Sequence, residues 1–391
     1  MTRIDPNAFI IVQEAPQVLG DGSSDTARIL FEGERPMKRL FPILLLCLTL
    51  LGCDSVFDGN YHSRTFHEEQ GSHIQSNTIT ATDIQSLRTV MEDLVASGTS
   101  TAVINVTDFT SGDVETAMAS VSDYIRNTDA LGAWAVDSLT YEIGPSGSMH
   151  AISVSITYIH SRAELRRVKT VADTDAAEEA IGRALEDCET GLVLLIEQYK
   201  QTDFAQMVSD FADSNPHLVM ETPQVLAGVY PERGDRRVVE LFFTYQTSRE
   251  SLRNMQNQVQ PVFSAARLYV SGDGSEHQKF SQLCAFLMER FDYTQETSIT
   301  PAYSLLRHGV GDSKAFATVY AAMCSRADLT CLVITGTRNG EPWTWNMICD
   351  NGQYYHVDLL HGTNSNRLTP LTDAEMEGYV WDYSAYPQTG E

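Results

Sequence analysis

The sequence predicts an α+β protein of two or three domains, in which two repeated βαββα modules precede a third domain of mixed helix and strand. The 391 residues exceed the length of one ordinary domain, and 42% of them are hydrophobic, as in folded globular proteins. The middle of the chain repeats itself at a fixed spacing. The last third begins with amphipathic helical patterns and continues with β-branched and aromatic runs.

The charge of the chain excludes one class of partner. The formal net charge is -25, from 52 acidic and 27 basic residues. Because binding nucleic acid requires clustered Lys and Arg, we expect no nucleic-acid-binding surface. The repeated region contains no metal-ligand spacing and no phosphate loop, so we expect neither a metal nor another cofactor.

A targeting segment stands near the amino terminus, at residues 37–52. It reads MKRLFPILLLCLTLLG, with two basic residues and an apolar run too short to span a bilayer, and Cys53 follows. The Leu-Leu-Gly-Cys sequence resembles the bacterial lipobox, which implies that Cys53 is the lipidated first residue of the mature protein. The competing interpretation is a short buried helix with a chance Gly-Cys pair.

The predicted signal peptide determines how the segments on either side of it are interpreted. A signal peptide acts from the start of a chain, so residues 1–36 are interpreted as an upstream start assigned in error. Residues 53–78, poor in apolar side chains, are predicted to form a flexible tether. We therefore expect a protein that is lipid-anchored at the cell membrane and faces the extracytoplasmic side.

An internal repeat occupies the middle of the chain, with identities that keep one spacing of 87 residues. The matched pairs are Val121-Ser122-Asp123-Tyr124 with Val208-Ser209-Asp210-Phe211, Thr157-Tyr158 with Thr244-Tyr245, Ser161-Arg162 with Ser248-Arg249, and Leu165-Arg166 with Leu252-Arg253. The spacing predicts a duplicated module.

We place the first module at 79–185 and the second at 186–270. Each is predicted to contain a strand, a helix, two strands joined by a turn, and a final helix. Ser161 and Ser248 precede the final helices, where a serine is most often an N-cap, although a ligand contact remains the alternative. We expect spacer or interaction domains.

The third domain spans residues 271–391. Helical periodicity covers residues 276–291 and 313–326. Three predicted strands follow, at residues 330–335, 343–349 and 353–359. Asp350-Asn351-Gly352 separates the last two and is a strong hairpin signal.

Motifs on these strands resemble the transglutaminase-like superfamily of papain-fold proteins, over residues 275–365. The positions that carry the resemblance are Ala302, Tyr303, Ala317, Gly336, Trp345, Asn346, Gly352, Tyr355, Val357 and Asp358. In that family a cysteine at a helix start attacks a carbonyl, a histidine takes its proton and an aspartate orients the histidine. The resemblance implies a cysteine-proteinase-type α+β domain.

Two of the three catalytic positions of the family are replaced in this sequence. Counting back from Gly336 places Ser313 at the cysteine position, and Trp343 stands at the histidine position. Only Asp358 is retained. A serine hydroxyl depends on a neighbouring base, and an indole cannot accept a proton. The resemblance therefore implies a pseudoenzyme.

Alternatives for these residues remain open. His356 lies two residues before Asp358, on the same face of a strand, so Ser313, His356 and Asp358 could form a serine-dependent amide hydrolase or acyltransferase. Ser313, or Asp312 beside it, could instead cap the helix. Trp343 either fills the volume of the missing histidine or forms the floor of an open cleft.

The leading expectation is a non-catalytic surface lipoprotein that binds an extracellular or cell-wall peptide or glycan through Trp343, Trp345 and Asn346. The hydrolase is one alternative, and a structural scaffold with a closed cleft is another. Cys331 and Cys349 fall on neighbouring predicted strands and could pair, but their apolar flanks favour free thiols. The sequence does not determine the oligomeric state.

Overall fold

The computed structural model describes residues 79–361 and 368–390. The upstream segment, the signal peptide, Cys53 and the tether were all predicted within residues 1–78 and lie outside the described residues. No helix in the described ranges is long and apolar enough to cross a membrane. Helices combine there with three four-stranded sheets and one two-stranded sheet, so the predicted α+β class is confirmed.

The first sheet belongs to a unit of four strands and four helices. Its elements are β1 (Ile79–Thr80), α1 (Ile84–Ser97), β2 (Thr101–Asn105), α2 (Val114–Asn127), α3 (Ala130–Ala135), β3 (Val136–Ser146), β4 (Met149–Tyr158) and α4 (Arg162–Leu165). The strand order is β1-β2-β4-β3, with β1 parallel to β2 and the other pairs antiparallel. Helices α1 and α2 bury their apolar sides against this sheet.

The second unit repeats this arrangement. Its elements are β5 (Lys169–Asp173), α5 (Thr174–Glu186), β6 (Gly191–Gln198), α6 (Phe204–Ser214), β7 (Gln224–Tyr230), β8 (Arg237–Thr244) and α7 (Arg249–Ser264). The strand order is β5-β6-β8-β7, and β5 is parallel to β6. The same order in both sheets is compatible with a duplicated module.

Each unit begins one strand and one helix before the predicted βαββα pattern. Because β5 pairs with β6, residues 169–185 belong with the second sheet, although the sequence analysis gave them to the first module. β5 is short and mostly exposed, so it has no apolar run that would identify a strand. The repeated unit is βαβαββα, with an additional short helix, α3, in the first copy.

Aspartate caps recur at the starts of equivalent helices. The side chain of Asp83 accepts a hydrogen bond from the backbone N–H of Ser86 at the start of α1, and Asp173 caps α5 in the same way. Asp113 and Asp203 cap α2 and α6. Each carboxylate satisfies a backbone N–H that the first helical turn leaves without a partner. The two pairs of caps are 90 residues apart, three more than the spacing found in the sequence.

Two serines cap the final helices of the units, as predicted. Ser161 Oγ accepts a hydrogen bond from the backbone N–H of Glu164 at 3.3 Å, and Ser248 Oγ accepts one from Ser251 at 3.2 Å. Their hydroxyls are therefore engaged in helix capping, which was the preferred interpretation of the sequence.

Helix α3 joins the two units. Trp134 packs in one apolar cluster with Leu195 and Val238 of the second sheet. Its indole Nε1 donates a hydrogen bond to the Glu240 carboxylate at 3.2 Å. The polar edge of the indole is thus satisfied while its rings are buried, as a buried tryptophan requires.

The third domain combines helices with an antiparallel sheet. Its elements are α8 (Glu276–Met288), β9 (Asp292–Tyr293), α9 (Pro301–Tyr303), β10 (Val310–Gly311), α10 (Ser313–Arg326), β11 (Cys331–Arg338), β12 (Glu341–Asp350), β13 (Gln353–Val357) and β14 (Tyr379–Val380). The sheet order is β13-β12-β11-β14. Helix α10 and the β12–β13 hairpin lie where the sequence predicted them.

The two faces of this sheet bury different partners. On one face, Ile348 and Val357 share a core with Phe316 and Val319 of α10. On the other face, a cluster forms between the sheet and residues 368–390, which we call the carboxy-terminal segment. The buried members of this cluster are Ile334, Trp345, Met347, Met376, Tyr379 and Trp381. Gly336 permits this second contact, since a Cβ there would clash with the Val380 carbonyl oxygen.

The cysteines in the described residues are free thiols. Cys331 pairs with Ile348 across β11 and β12, so these two side chains share one face of the sheet. Cys349 follows Ile348 and therefore points to the opposite face. This alternation argues against a Cys331–Cys349 disulfide and agrees with the preferred interpretation of free thiols.

Candidate functional site

Ser313 begins α10, but Asp312 is the residue that caps this helix. The Asp312 carboxylate accepts a hydrogen bond from the backbone N–H of Ala315 at 2.9 Å. The Ser313 hydroxyl is buried and accepts a hydrogen bond from the backbone N–H of Thr344 at 3.3 Å. This contact ties the start of α10 to β12. Among the described residues, no imidazole nitrogen bonds to Ser313.

Asp358 lies at the end of β13, and its side chain is only 2% exposed. Four donors surround the carboxylate. They are the Trp343 indole Nε1 at 3.0 Å, the Arg338 guanidinium at 3.2 Å, the Tyr379 hydroxyl at 2.6 Å and the Leu360 backbone N–H at 2.9 Å. A buried carboxylate needs such compensation, because an unpaired charge in the interior is costly.

Trp343 takes the position that the resemblance assigns to the histidine. Like an imidazole N–H, its indole N–H donates to the Asp358 carboxylate. The indole differs in having no second nitrogen that could accept a proton from Ser313. Trp343 therefore donates to Asp358 but cannot act as a proton acceptor.

Tyr379 and Arg338 are partners of Asp358 that the sequence analysis missed. Burial, and to a smaller extent the Asp358 carboxylate, raise the pKa of Tyr379 above its ordinary value, so the phenol stays a donor. Arg338 forms an ion pair with Asp358, and its guanidinium lies 5.2 Å from the centre of a Trp343 ring. Tyr379 belongs to the carboxy-terminal segment, which no local pattern connects with Asp358.

His356 lies on the sheet face away from α10. It pairs with Met347, so it shares the face of Trp345 and Met347, whereas Asn346 on the alternate face contacts α10. Both ring nitrogens are engaged: Nδ1 accepts from Trp345 Nε1 at 3.1 Å, and Nε2 lies 2.8 Å from the Asp373 carboxylate. The structure therefore does not bring Ser313, His356 and Asp358 into one hydrogen-bonded set.

The hydrogen bonds of His356 determine which ring nitrogen carries the proton. Since the Trp345 N–H occupies Nδ1, the proton of the neutral ring resides on Nε2 and is donated to Asp373. Burial lowers the pKa of His356, while the Asp373 carboxylate acts in the opposite direction with a smaller effect. His356 is a neutral group that anchors the carboxy-terminal segment.

Trp345 and Asn346 are internal residues, in contrast to the expectation that they line a binding surface. Trp345 is 1% exposed and Asn346 is fully buried. The Asn346 amide donates to the carbonyl oxygens of Ala317 in α10 and Leu332 in β11. Asn346 therefore joins β12 to α10 and β11, and Trp345 packs in the buried cluster on the other face of the sheet.

An aromatic pair lies at the surface beside these buried groups. The Tyr293 ring lies 5.6 Å from the Trp343 ring, and Tyr293 is 41% exposed. Tyr293 is brought there by the pairing of β9 with β10, whose last residue, Gly311, comes just before Asp312. Of the three predicted binding residues, Trp343 alone is only half-buried. We refer to Tyr293 and Trp343 together as the aromatic surface.

The described residues contain no group of three or more His, Cys, Asp or Glu side chains that could hold a metal ion. Two thiols of this domain are deeply buried. Burial raises the pKa of Cys284 to about 12, and it also raises the pKa of Cys324. Thiols in such surroundings are poor nucleophiles, because the reactive form is the thiolate.

Residues 264–359 match the family model described as the transglutaminase-like superfamily. Residues 264–359 form a transglutaminase-like domain. The match includes α10, the β12 strand that carries Trp343, and Asp358 directly after β13. It begins slightly before the predicted start at residue 271. A search among curated proteins finds no match for the chain.

Solved structures also resemble the chain, at low identity. A crystal structure of a TGase is 10% identical, with 75% of this chain and 61% of that chain covered and a TM-score of 0.25. A candidate cysteine protease from Cytophaga hutchinsonii is 12% identical, with 40% and 70% covered and a TM-score of 0.24. The chain thus spans about three fifths of the length of the TGase.

We expect Tyr379→Phe to destabilise the protein by about 1.5–3 kcal/mol, because it removes a buried hydrogen bond to a charged acceptor. Urea unfolding monitored by circular dichroism measures this loss. Tyr383→Phe is the matched control, since Tyr383 is 58% exposed, and its effect should stay within about 0.5 kcal/mol. Equal effects of the two substitutions would contradict the role assigned to Tyr379.

We expect the pKa of His356, followed by NMR titration, to lie below its ordinary value of 6.5. Asp373→Asn should lower it further, because the carboxylate favours the charged ring. The unfolded chain then binds more protons than the folded one below pH 6.5, so His356 makes stability decrease as the pH falls through this range. A pKa that rises in Asp373→Asn would contradict this account.

Proposed function

We propose that the transglutaminase-like domain is non-catalytic and that the chain is a lipid-anchored surface protein that binds an extracellular or cell-wall peptide or glycan. The proposal that the domain is non-catalytic rests on the groups that surround Asp358. Its carboxylate is neutralised by Arg338 and hydrogen-bonded by Trp343 and Tyr379, so it orients no imidazole. A transglutaminase-type reaction needs a nucleophile activated by a base.

The geometry of Ser313 supports the same proposal. Its hydroxyl bonds to the backbone of Thr344, and the nearby aromatic residue at the histidine position is a donor. His356, the alternative base, faces the other side of the sheet and is committed to Trp345 and Asp373. These contacts favour a pseudoenzyme over the serine-dependent hydrolase or acyltransferase, since a general base must reach the proton that it removes.

The aromatic surface supports binding. The Tyr293 ring is exposed next to the half-buried Trp343 ring, and Arg338 lies against Trp343 with its side chain 25% exposed. Rings with a polar edge and an apolar face suit both peptide side chains and sugar rings. Such rigid aromatic residues contribute strongly to binding at small cost in conformational entropy.

Binding should depend on Tyr293. We expect the full chain to bind cell-wall fragments, either muropeptides or glycan strands, without cleaving them, and Tyr293→Ala to weaken this binding about tenfold. Tyr383→Ala, which removes another exposed aromatic ring, should leave it unchanged. Titration of intrinsic tryptophan fluorescence measures affinity, and mass spectrometry of the recovered fragments detects turnover.

Two results would redirect this proposal. Absence of binding to every fragment would favour the scaffold with a closed cleft. Labelling of the wild-type chain by a fluorophosphonate probe, lost in Ser313→Ala, would instead establish a reactive serine and favour the hydrolase.

The anchor rests on the sequence around Cys53. We expect wild-type protein made in a bacterium to incorporate labelled palmitate and to enter the detergent phase on Triton X-114 partition, because acyl chains bury in the membrane. Cys53→Ser should abolish both. Cys47→Ser, which removes the other cysteine of the same segment, should abolish neither. Unchanged partition of Cys53→Ser would contradict lipidation at this residue.

A further inference from the structure

A second site lies away from the aromatic surface, between the second unit and the third domain. A pocket of about 560 Å³ opens there, within the size range of small-molecule sites. Its lining is polar or cationic throughout and consists of Asn215, His217, Ser264, Arg267, Ser325 and Arg326. No acidic residue lines it, although the chain carries a net charge of -25.

His217 is the unusual member of this pocket. It is 8% exposed, and its ring lies 5.6 Å from the Phe263 ring. Its Nδ1 is buried without a hydrogen-bond partner among the described residues. Native structures satisfy nearly all buried polar atoms, so this nitrogen of a pocket-lining residue needs a partner that the described residues do not supply.

The pKa of His217 agrees with this surrounding. Burial, and to a smaller extent the nearby charge of Arg326, lower it from 6.5 to about 4. The imidazole is therefore neutral near pH 7 and carries one N–H. A bound anion would reverse the effect of Arg326 on the ring.

The two arginines of the pocket differ in the hydrogen bonds and ion pairs that their side chains form. Arg267 donates to the carbonyl oxygen of Arg326 at 2.7 Å and forms an ion pair with Asp328 at 2.6 Å. Arg326 itself forms no ion pair within the described ranges of the chain. One guanidinium in the pocket thus remains available for an anion.

The end of α10 does not cancel this charge. A helix carboxyl terminus repels anions through its free carbonyl groups. Here the last four carbonyl oxygens, from Met323 to Arg326, all accept hydrogen bonds, the final one from the Arg267 side chain. The pocket therefore presents donors rather than unpaired acceptors.

We propose that this pocket binds the phosphate or sulfate group of a small polar ligand. The donors come from different directions: Arg326 and Ser325 at the end of α10, Ser264 at the end of α7, and His217 after α6. A tetrahedral oxyanion has oxygens to meet donors on several sides, whereas a carboxylate offers two in one plane. The pocket volume leaves room for a hydroxyl-rich body beside the anion.

The test is a calorimetric titration of the full chain with inorganic phosphate, sulfate and glucose 6-phosphate at constant ionic strength and pH 7.5. We expect saturable binding at one site, weakened about tenfold or more in Arg326→Gln, because a charge-assisted hydrogen bond is lost. Arg166→Gln is the matched control, since it removes an exposed positive charge from the first unit, and it should bind as the wild type does.

A second variant guards against an indirect effect of Arg326. Ser264→Asp places a carboxylate in the pocket and should abolish phosphate binding while the melting temperature stays close to that of the wild type. Phosphate should also raise the pKa of His217 in an NMR titration. Tighter binding of glucose 6-phosphate than of phosphate identifies an ester as the ligand, and equal binding identifies the free ion.

Three results would overturn this site. They are the absence of saturable binding by the wild type up to tens of millimolar phosphate, equal loss of binding in Arg326→Gln and Arg166→Gln, and unchanged binding by Ser264→Asp. None of them bears on the aromatic surface, because Tyr293 and Trp343 are not part of this pocket.

Discussion

The buried carboxylate of Asp358 is the group on which the arrangement of the third domain depends. A charge with 2% exposure must be compensated by donors nearby, and these come from three places: β11, β12 and the carboxy-terminal segment. Arg338 neutralises the charge, whereas Trp343 and Tyr379 supply neutral hydrogen bonds. The residue that would orient a histidine in a catalytic relative therefore joins separate parts of the fold here.

Replacement of the histidine by Trp343 explains why the other donors matter. A catalytic imidazole is held by its aspartate and must also be free to exchange a proton with the nucleophile. An indole has one N–H and no such exchange to perform, so the site can close around it with Arg338 and Tyr379. Both oxygens of the Asp358 carboxylate are thereby hydrogen-bonded without an imidazole.

The carboxy-terminal segment is held at two points of the same sheet face. Tyr379 donates a hydrogen bond to Asp358, while the Asp373 carboxylate accepts one from His356 Nε2, and Trp381 packs against both Trp345 and His356. His356 is one of the residues that hold this segment. Its position in this anchor requires a neutral ring, and burial supplies the low pKa that keeps the ring neutral.

The difference between what could and could not be predicted follows sequence separation. Helix α10 and the β12–β13 hairpin depend on local signals, such as the Asp312 cap and Asn351-Gly352 in left-handed conformation, and both were predicted. The bond between Tyr379 and Asp358, and the pocket around His217, join residues far apart in sequence. The burial of Trp345 and Asn346 was missed for another reason. In a sequence, motif residues that pack inside a domain cannot be distinguished from motif residues that bind a ligand.

The two repeated units illustrate the same limit of sequence analysis. They also differ in the contacts that their sheets make. The ungapped match at a spacing of 87 residues did not detect the first strand and first helix of each unit. The caps of these two helices, Asp83 and Asp173, are 90 residues apart. In the second unit, α3 of the first unit covers Val238, and Trp134 bonds to Glu240. At the position equivalent to Glu240, the first unit carries the exposed Ser153. The two sheets therefore differ on this face, because α3 covers that of the second unit, whereas Ser153 and its neighbour Val103 are exposed in the first.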